Sequence, residues 1–249
     1  MAFLSTVGAV VLAGGRSRRL DEFPKPLLRG GDTTLLGLTL RALTDIGVAA
    51  DRIVVVGPPN VLTGSGFRDL TVVREDPPFA GPVAGIAAGF EALAADVALS
   101  GMAAARGGQR GHLEFVLTLA CDMPNLEPGV RALLDAAAAA GPASPPAPEA
   151  WVGVSRASAP GEEERVENLM SLHRASALAD ALRGLDPEGM SVRALLSRLT
   201  VAHVDLPAGA AADVDTWADA ERLGLHSPQE KQAQDTEQVQ GEQSQERHG

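Results

Sequence analysis

The sequence predicts an α/β fold of three layers: a mostly parallel sheet, one antiparallel strand, and helices on both faces. Three observations lead there. Short β-branched runs alternate with longer stretches of helical spacing, the runs are apolar across both faces, and glycines or an acid follow several of them at once. A strand that is apolar on both sides is one covered by helices twice over, and its alternation with helices marks α/β layering.

Val7 to Leu12 reads as the first strand. The apolar stretch from Ala2 to Ala13 has its arginines behind it rather than ahead of it, the wrong polarity for secretion. Leu35 to Ile46, Val83 to Ala95 and Val130 to Ala140 carry apolar residues at helical intervals. Between them, Arg52 to Val56, Thr71 to Val73 and Phe115 to Leu119 read as strands. Gly101 to Gly111 is a Gly- and Arg-rich insertion, and Gly141 to Glu149, rich in Pro and Ala, reads as a loop.

Trp151 to Val154 and Met170 to His173 are strands separated by the charged stretch Ala157 to Glu167, which brings an antiparallel strand into the sheet. Ala175 to Leu185 and Val192 to Leu199 are helical, and Val201 to Val204 is a last strand. Thr216 to Leu223 is a terminal helix capped by Asp215 or Thr216. One domain, residues 1–225, is expected. The Gln/Glu-rich tail from His226 to Gly249 lacks an apolar face and is expected to be disordered.

Apolar residues form 45% of the chain but aromatics only 3%, so the core must be built from Val, Leu, Ile and Ala. The net charge of −11 repels a polyanionic duplex, which makes nucleic acid a poor partner. Cys121 is the only cysteine, so no intrachain disulfide is available and nothing points to an oxidising compartment. No apolar run is long enough to span a bilayer. A soluble cytoplasmic protein is the expectation.

The chain has two lysines, and one of them, Lys231, lies in the tail. The other, Lys25, follows Gly14-Gly15 and the cations Arg16, Arg18 and Arg19. Glycines let a backbone approach a phosphate, and a compact ammonium serves it as a point charge, a task that arginine's fork does not reproduce. The glycine pair alone is equally a tight turn; the cations behind it favour a phosphate loop. Neither G-x-x-x-x-G-K-S/T nor G-x-G-x-x-G is present, so a kinase-type P-loop and a dinucleotide fold are unsupported.

Asp122 follows the fourth strand in Cys121-Asp122-Met123-Pro124. There it suits Mg²⁺, which binds few protein carboxylates plus substrate phosphates, or else it caps the helix entered through Pro128. Cys121, with no histidine in a suggestive relation to it, reads as a small buried hydrophobe. Asp76 follows the third strand, and Gly81 and Gly85 flank a helix start that would favour an anion or is simply Pro-initiated. Asp213 and Asp215 alternate, either for a metal or as caps of the last helix. His173 and His203 sit among apolar residues and read as packed.

Three segments, L-A-G-G-x-S-x-R with K-P-L, E-D-x-x with G-P-x-A-G-I, and C-D-M-P, occur in this order between Val7 and about Leu225. Together they resemble the nucleotidyltransferases of the MobA-like group, and within it the molybdenum cofactor guanylyltransferases. The resemblance implies a Rossmann-like fold. It implies that Leu12, Ala13 and Gly14 contact a guanine nucleotide, with Gly15 in the same loop, and that Lys25 binds phosphates. Asp76 and the Gly81–Gly85 segment would lie at that nucleotide site. Asp122 would hold Mg²⁺ and nucleotide, with Asp215 as a further metal ligand, and Arg19 would help stabilise pyrophosphate.

The implied reaction moves GMP from GTP to the terminal phosphate of molybdopterin or its molybdenum form. Proteins of cofactor biosynthesis or molybdoenzyme maturation are the implied contacts. The alternatives are CTP or a sugar phosphate as substrate, or a regulatory module that binds a nucleotide without catalysis. The chain departs from the group's usual pattern at Asp21, where Gly is common, at Pro24, where Asp is, and at Gly57, where Asn is.

Overall fold

The computed structural model describes residues 3–15, 18–104, 112–140, 147–156 and 164–227. The first strand is β1 (Val7–Leu12), followed after a loop by two short strands, β2 (Arg29–Gly30) and β3 (Thr33–Thr34). Helix α1 (Leu35–Ile46) leads to β4 (Ile53–Val56) and β5 (Thr71–Val73). Helix α2 (Pro82–Ala104), β6 (Phe115–Ala120) and α3 (Glu127–Ala139) complete the first half. The second half runs β7 (Ala150–Ser155), β8 (Arg165–Arg174), α4 (Ala175–Leu182), α5 (Val192–Leu196), β9 (Val201–Asp205), α6 (Trp217–Arg222) and β10 (Leu225–His226).

Among the described residues a seven-stranded sheet has the order β5-β4-β1-β6-β8-β7-β9. β1 pairs in parallel with β4 and β6, β4 with β5, and β7 with β9, whereas β8 runs antiparallel to both β6 and β7. The chain goes outward from β1 to β4 and β5, then returns to place β6 on β1's other side. Strand order reverses there, and the carboxyl ends of strands flanking such a reversal open a crevice.

Both faces of the central strands are buried, as their composition requires. Ala9, Val11, Leu117 and Leu119 pack on one side with Leu36, Leu40 and Leu43 of α1 and Leu133 of α3. Val10, Val54, Val56 and Val116 pack on the other with Val83, Ile86 and Leu93 of α2 and Leu178 of α4. Helix α2 lies close because Gly89 carries no side chain; a Cβ there would sit 2.8 Å from Val56 Cγ2. A third cluster joins distant parts of the chain: Leu20, Leu28 and Leu35 with Val214, Ala220 and Leu225, all buried.

Several expectations need adjustment. Helix α2 continues through Ala104, because the alanine-rich stretch that follows Leu93 favours helix, so residues 101–104 of the expected insertion belong to it. Residues 105–111 lie outside the described residues, as do 141–146 and 157–163 of the expected loops. β8 begins five residues early, its charged start held by Arg165 on Glu167 at 2.7 Å. His226, placed above in the tail, pairs with Arg29 in the small sheet β10-β2-β3, so the fold includes it; 228–249 lie outside the described residues. His203 is exposed rather than packed, because β9 is the edge strand.

His173 is fully buried on β8, with Nε2 3.0 Å from both the Thr118 and the Ser171 hydroxyl. Burial lowers its pKa from the usual 6.5 to about 4. Between those values the unfolded chain binds the proton and the folded one does not, so stability falls as pH drops through this window. The loss amounts to at most about 3 kcal/mol. We expect urea unfolding of His173→Gln to lack this component of the slope between pH 6.5 and 4, relative to the parent protein.

Candidate active site

Hydrogen bonds knit the carboxyl ends of the central strands. Cys121 donates its N–H to the Leu12 carbonyl at 3.1 Å, and Ala13 donates to Val56 at 2.8 Å. Gly57, one of the departures noted above, has a structural reason: a Cβ there would lie 3.0 Å from the Ala13 carbonyl oxygen. Over these strand ends opens a cavity of about 570 Å³. Leu12, Gly14 and Gly15 line it from the loop after β1, Gly81, Pro82 and Gly85 from the start of α2, and Asp122 from the end of β6. Arg19, Lys25 and Asp215 line it as well.

Lys25 starts a single 3₁₀ turn, Lys25–Leu27, in which Pro26 is buried. Its Nζ lies 3.2 Å from Asp122 Oδ2 and 2.6 Å from Asp215 Oδ1. Arg19 reaches the other oxygen of Asp215 at 3.3 Å. The third hydrophobic cluster makes this meeting possible, since Leu20 and Leu28 bracket Lys25 in sequence while Val214 adjoins Asp215, and all three are buried together. Val214 also donates its N–H to the Asp122 carbonyl at 3.0 Å. Asp21, another departure, has φ +50, a conformation that Asp tolerates, and accepts a hydrogen bond from Trp217 Nε1 at 3.0 Å.

The two capping readings are thereby decided. The N-cap of α3 is Leu126, and Asp122 points its carboxylate at Lys25. Helix α6 is capped by Thr216 in a reciprocal box with Asp219, which leaves Asp215 to face Lys25. Asp213 turns instead to Arg165, at 3.6 Å.

Burial opposes the charge of Lys25, but its hydrogen bond to Asp215 and the charges of Asp122 and Asp215 outweigh it and hold the ammonium above its ordinary pKa. For Asp122 burial wins: its pKa is raised despite Lys25, with the nearby Asp213 adding to the rise. Burial also pushes the Cys121 thiol well up, so it remains a neutral, packed side chain.

Of the nucleotide contacts expected from sequence, Leu12, Gly14, Gly15, Lys25, Gly81 and Asp122 line the cavity, and so do Arg19 and Asp215. Ala13 and Asp76 do not. Ala13 is turned into the core, 3% exposed. Asp76 is exposed and is not among the residues lining the cavity, while its neighbour Glu75 lines it and accepts the Phe79 N–H at 2.9 Å. Phe79 and Leu169 also line the cavity, and no motif announced them.

A mostly parallel mixed sheet with this crevice is the α/β nucleotidyltransferase fold. The chain belongs to the MobA-like NTP transferase domain family, whose model matches residues 9–204. A search of curated proteins by sequence found no match. Among solved structures, the homologue of Mycobacterium tuberculosis Rv0371c from Mycobacterium sp. strain JC1 is 25% identical, with a TM-score of 0.58 over 88% of this chain and 95% of that one. Molybdopterin-guanine dinucleotide biosynthesis protein A from Archaeoglobus fulgidus is 18% identical, with a TM-score of 0.57 over 87% and 96%. The 4-diphosphocytidyl-2C-methyl-D-erythritol synthase from Anaerococcus prevotii is 12% identical, with a TM-score of 0.59 over 90% and 97%.

Because Leu20 is fully buried in the cluster that carries Lys25, Leu20→Ala is expected to cost about 3 kcal/mol in urea unfolding. Added nucleotide should then raise the unfolding midpoint of the variant less than that of the parent.

Proposed function

We propose that the chain transfers GMP from GTP to the terminal phosphate of molybdopterin, or of its molybdenum form, with release of pyrophosphate. The observation that carries this reading is the Lys25 ammonium held between Asp122 and Asp215 beside the Gly14-Gly15 loop. The C-D-M-P segment around Asp122 favours a guanylyl over a cytidylyl substrate. The reaction needs little acid–base help. A phosphate monoester has its second pKa near ~6, so the attacking oxygen is already ionised at neutral pH. It bonds to the α-phosphorus of GTP as the bond from that phosphorus to the bridging oxygen breaks, and the electron pair leaves on pyrophosphate.

The protein's part is to bring two anions together and to balance the charge on the leaving group. Lys25 and Arg19 supply positive charge, and the glycine loop leaves room for the phosphates. The Asp122 and Asp215 carboxylates fit a divalent ion such as Mg²⁺, since one ammonium already bridges them and such an ion takes few carboxylates plus phosphate oxygens. Among the described residues no group of three or more His, Cys, Asp or Glu could hold a metal ion by itself. When bound, the ion would neutralise phosphate charge. Burial raises the pKa of Asp122, and a bound cation would favour its charged form.

No helix of the described residues is long and apolar enough to cross a membrane. A cytoplasmic location, with contacts to proteins of cofactor biosynthesis or molybdoenzyme maturation, fits this reading. A second reading, with another nucleotide or acceptor such as CTP or a sugar phosphate, is favoured by the departures at Asp21, Pro24 and Gly57.

Labelled GTP, molybdopterin and Mg²⁺, with identification of the product, test the proposal. Formation of the guanine dinucleotide supports it; turnover only with another nucleotide or acceptor supports the second reading. Lys25→Ala and Asp122→Ala should each lower pyrophosphate release by about 100-fold or more, on the scale of lost transition-state charge stabilisation, with an unchanged circular dichroism spectrum. Lys25→Arg should recover little, because a planar fork does not replace a compact ammonium between two acids.

A further inference from the structure

Phe79 is half exposed in a chain with few aromatics, and among the described residues it is the one aromatic side chain that stands out to solvent. It lines the cavity. Its backbone has φ +66, a left-handed conformation that is an outlier for a bulky residue and persists only where its surroundings enforce it. They do so here. Glu75 Oε1 accepts the Phe79 N–H at 2.9 Å, and the next residue, Ala80, accepts the Gly189 N–H at 2.7 Å. The Arg74 guanidinium stands over the ring, 5.1 Å from its centroid.

An exposed phenyl ring forgoes the stabilisation of burial and its strained backbone opposes folding, yet the segment fixes the ring at the cavity rather than folding it away. We propose that Phe79, backed by Arg74, is a stacking platform for a planar heteroaromatic ring of a substrate. The cavity of about 570 Å³ has room for more than phosphates. A ring laid on Phe79 gains dispersion and face-to-face contact, and the guanidinium on the same aromatic adds a cation–π component. Stacking of this kind accepts any flat heterocycle, so it sets orientation and leaves base identity to polar groups such as Glu75. The platform rests on the reading of this cavity as a nucleotide site, and two flat rings enter that reaction: the nucleobase and the ring system of the acceptor.

The test compares the parent protein with Phe79→Leu, which keeps apolar bulk without a π face, and Phe79→Trp, which keeps the face. Calorimetry measures binding of GTP and of inorganic tripolyphosphate, which lacks a base, and steady-state rates give KM for molybdopterin. If the nucleobase stacks, Phe79→Leu weakens GTP about tenfold or more while tripolyphosphate is unchanged, and Phe79→Trp stays near the parent. If the acceptor stacks, GTP binding holds and KM for the acceptor rises by a similar factor. GTP affinity and acceptor KM both unchanged in Phe79→Leu would overturn the platform. No binding of any of the four nucleoside triphosphates by the parent protein would overturn the nucleotide reading itself, and the platform with it. Urea unfolding of each variant checks that the fold is intact.

Discussion

The site depends on one ammonium between two carboxylates. Lys25 touches Asp122 and Asp215 at once, and the three groups come from the first loop, the end of β6 and the segment before α6. Taking charges out of water costs several kcal/mol per ion, so such a group persists only where each member has a partner and a fixed scaffold. Here the scaffold is double. Asp122 stands on the end of a strand buried on both faces, while Lys25 and Asp215 are carried by a small separate core around Leu20, Leu28 and Val214. The sheet thus supplies one acid, and the small core the ammonium and the other acid, to one spot, and the Val214 N–H on the Asp122 carbonyl ties them together.

The same arrangement explains how an acidic protein presents a site for an anion. The net charge of −11 is spread over the chain, whereas Lys25 and Arg19 gather at the loop after β1. Local charge beats the distant field because screening cuts interactions off within about 8 Å at physiological salt. The fold itself does not choose the substrate. Two proteins of 18% and 12% identity, named for different products, share it over 87% and 90% of this chain. Choice must then lie with side chains around the cavity, and Glu75, Phe79 and Leu169 line it beside the motif residues.

Much of this was legible in the residues. Strands β1 and β5 and helix α1 begin and end where β-branched runs and helical spacing place them, and the one antiparallel strand follows from the two apolar runs around the charged stretch. Lys25, Asp122 and the glycine pair stood out as a rare lysine, an acid at a strand end and a turn. What escaped was whatever depends on a single residue's direction. Two-residue strands such as β2, β3 and β10 have no periodicity to detect. Which of Glu75 and Asp76 lines the cavity depends on the bend after β5, which leaves no periodic signal. The left-handed turn at Phe79 leaves no mark in composition, and the exposure of His203 reflects only that β9 has no neighbour beyond it.

The distances along the chain between the charged partners are long: 97 residues from Lys25 to Asp122 and 190 from Lys25 to Asp215. During synthesis on a ribosome the central strands can pair well before residue 215 emerges. The second acid emerges only after the stretch that matches the family model, residues 9–204, has been made. A nascent protein can therefore possess its sheet and still lack the clasp around Lys25, which closes only when the segment before α6 docks.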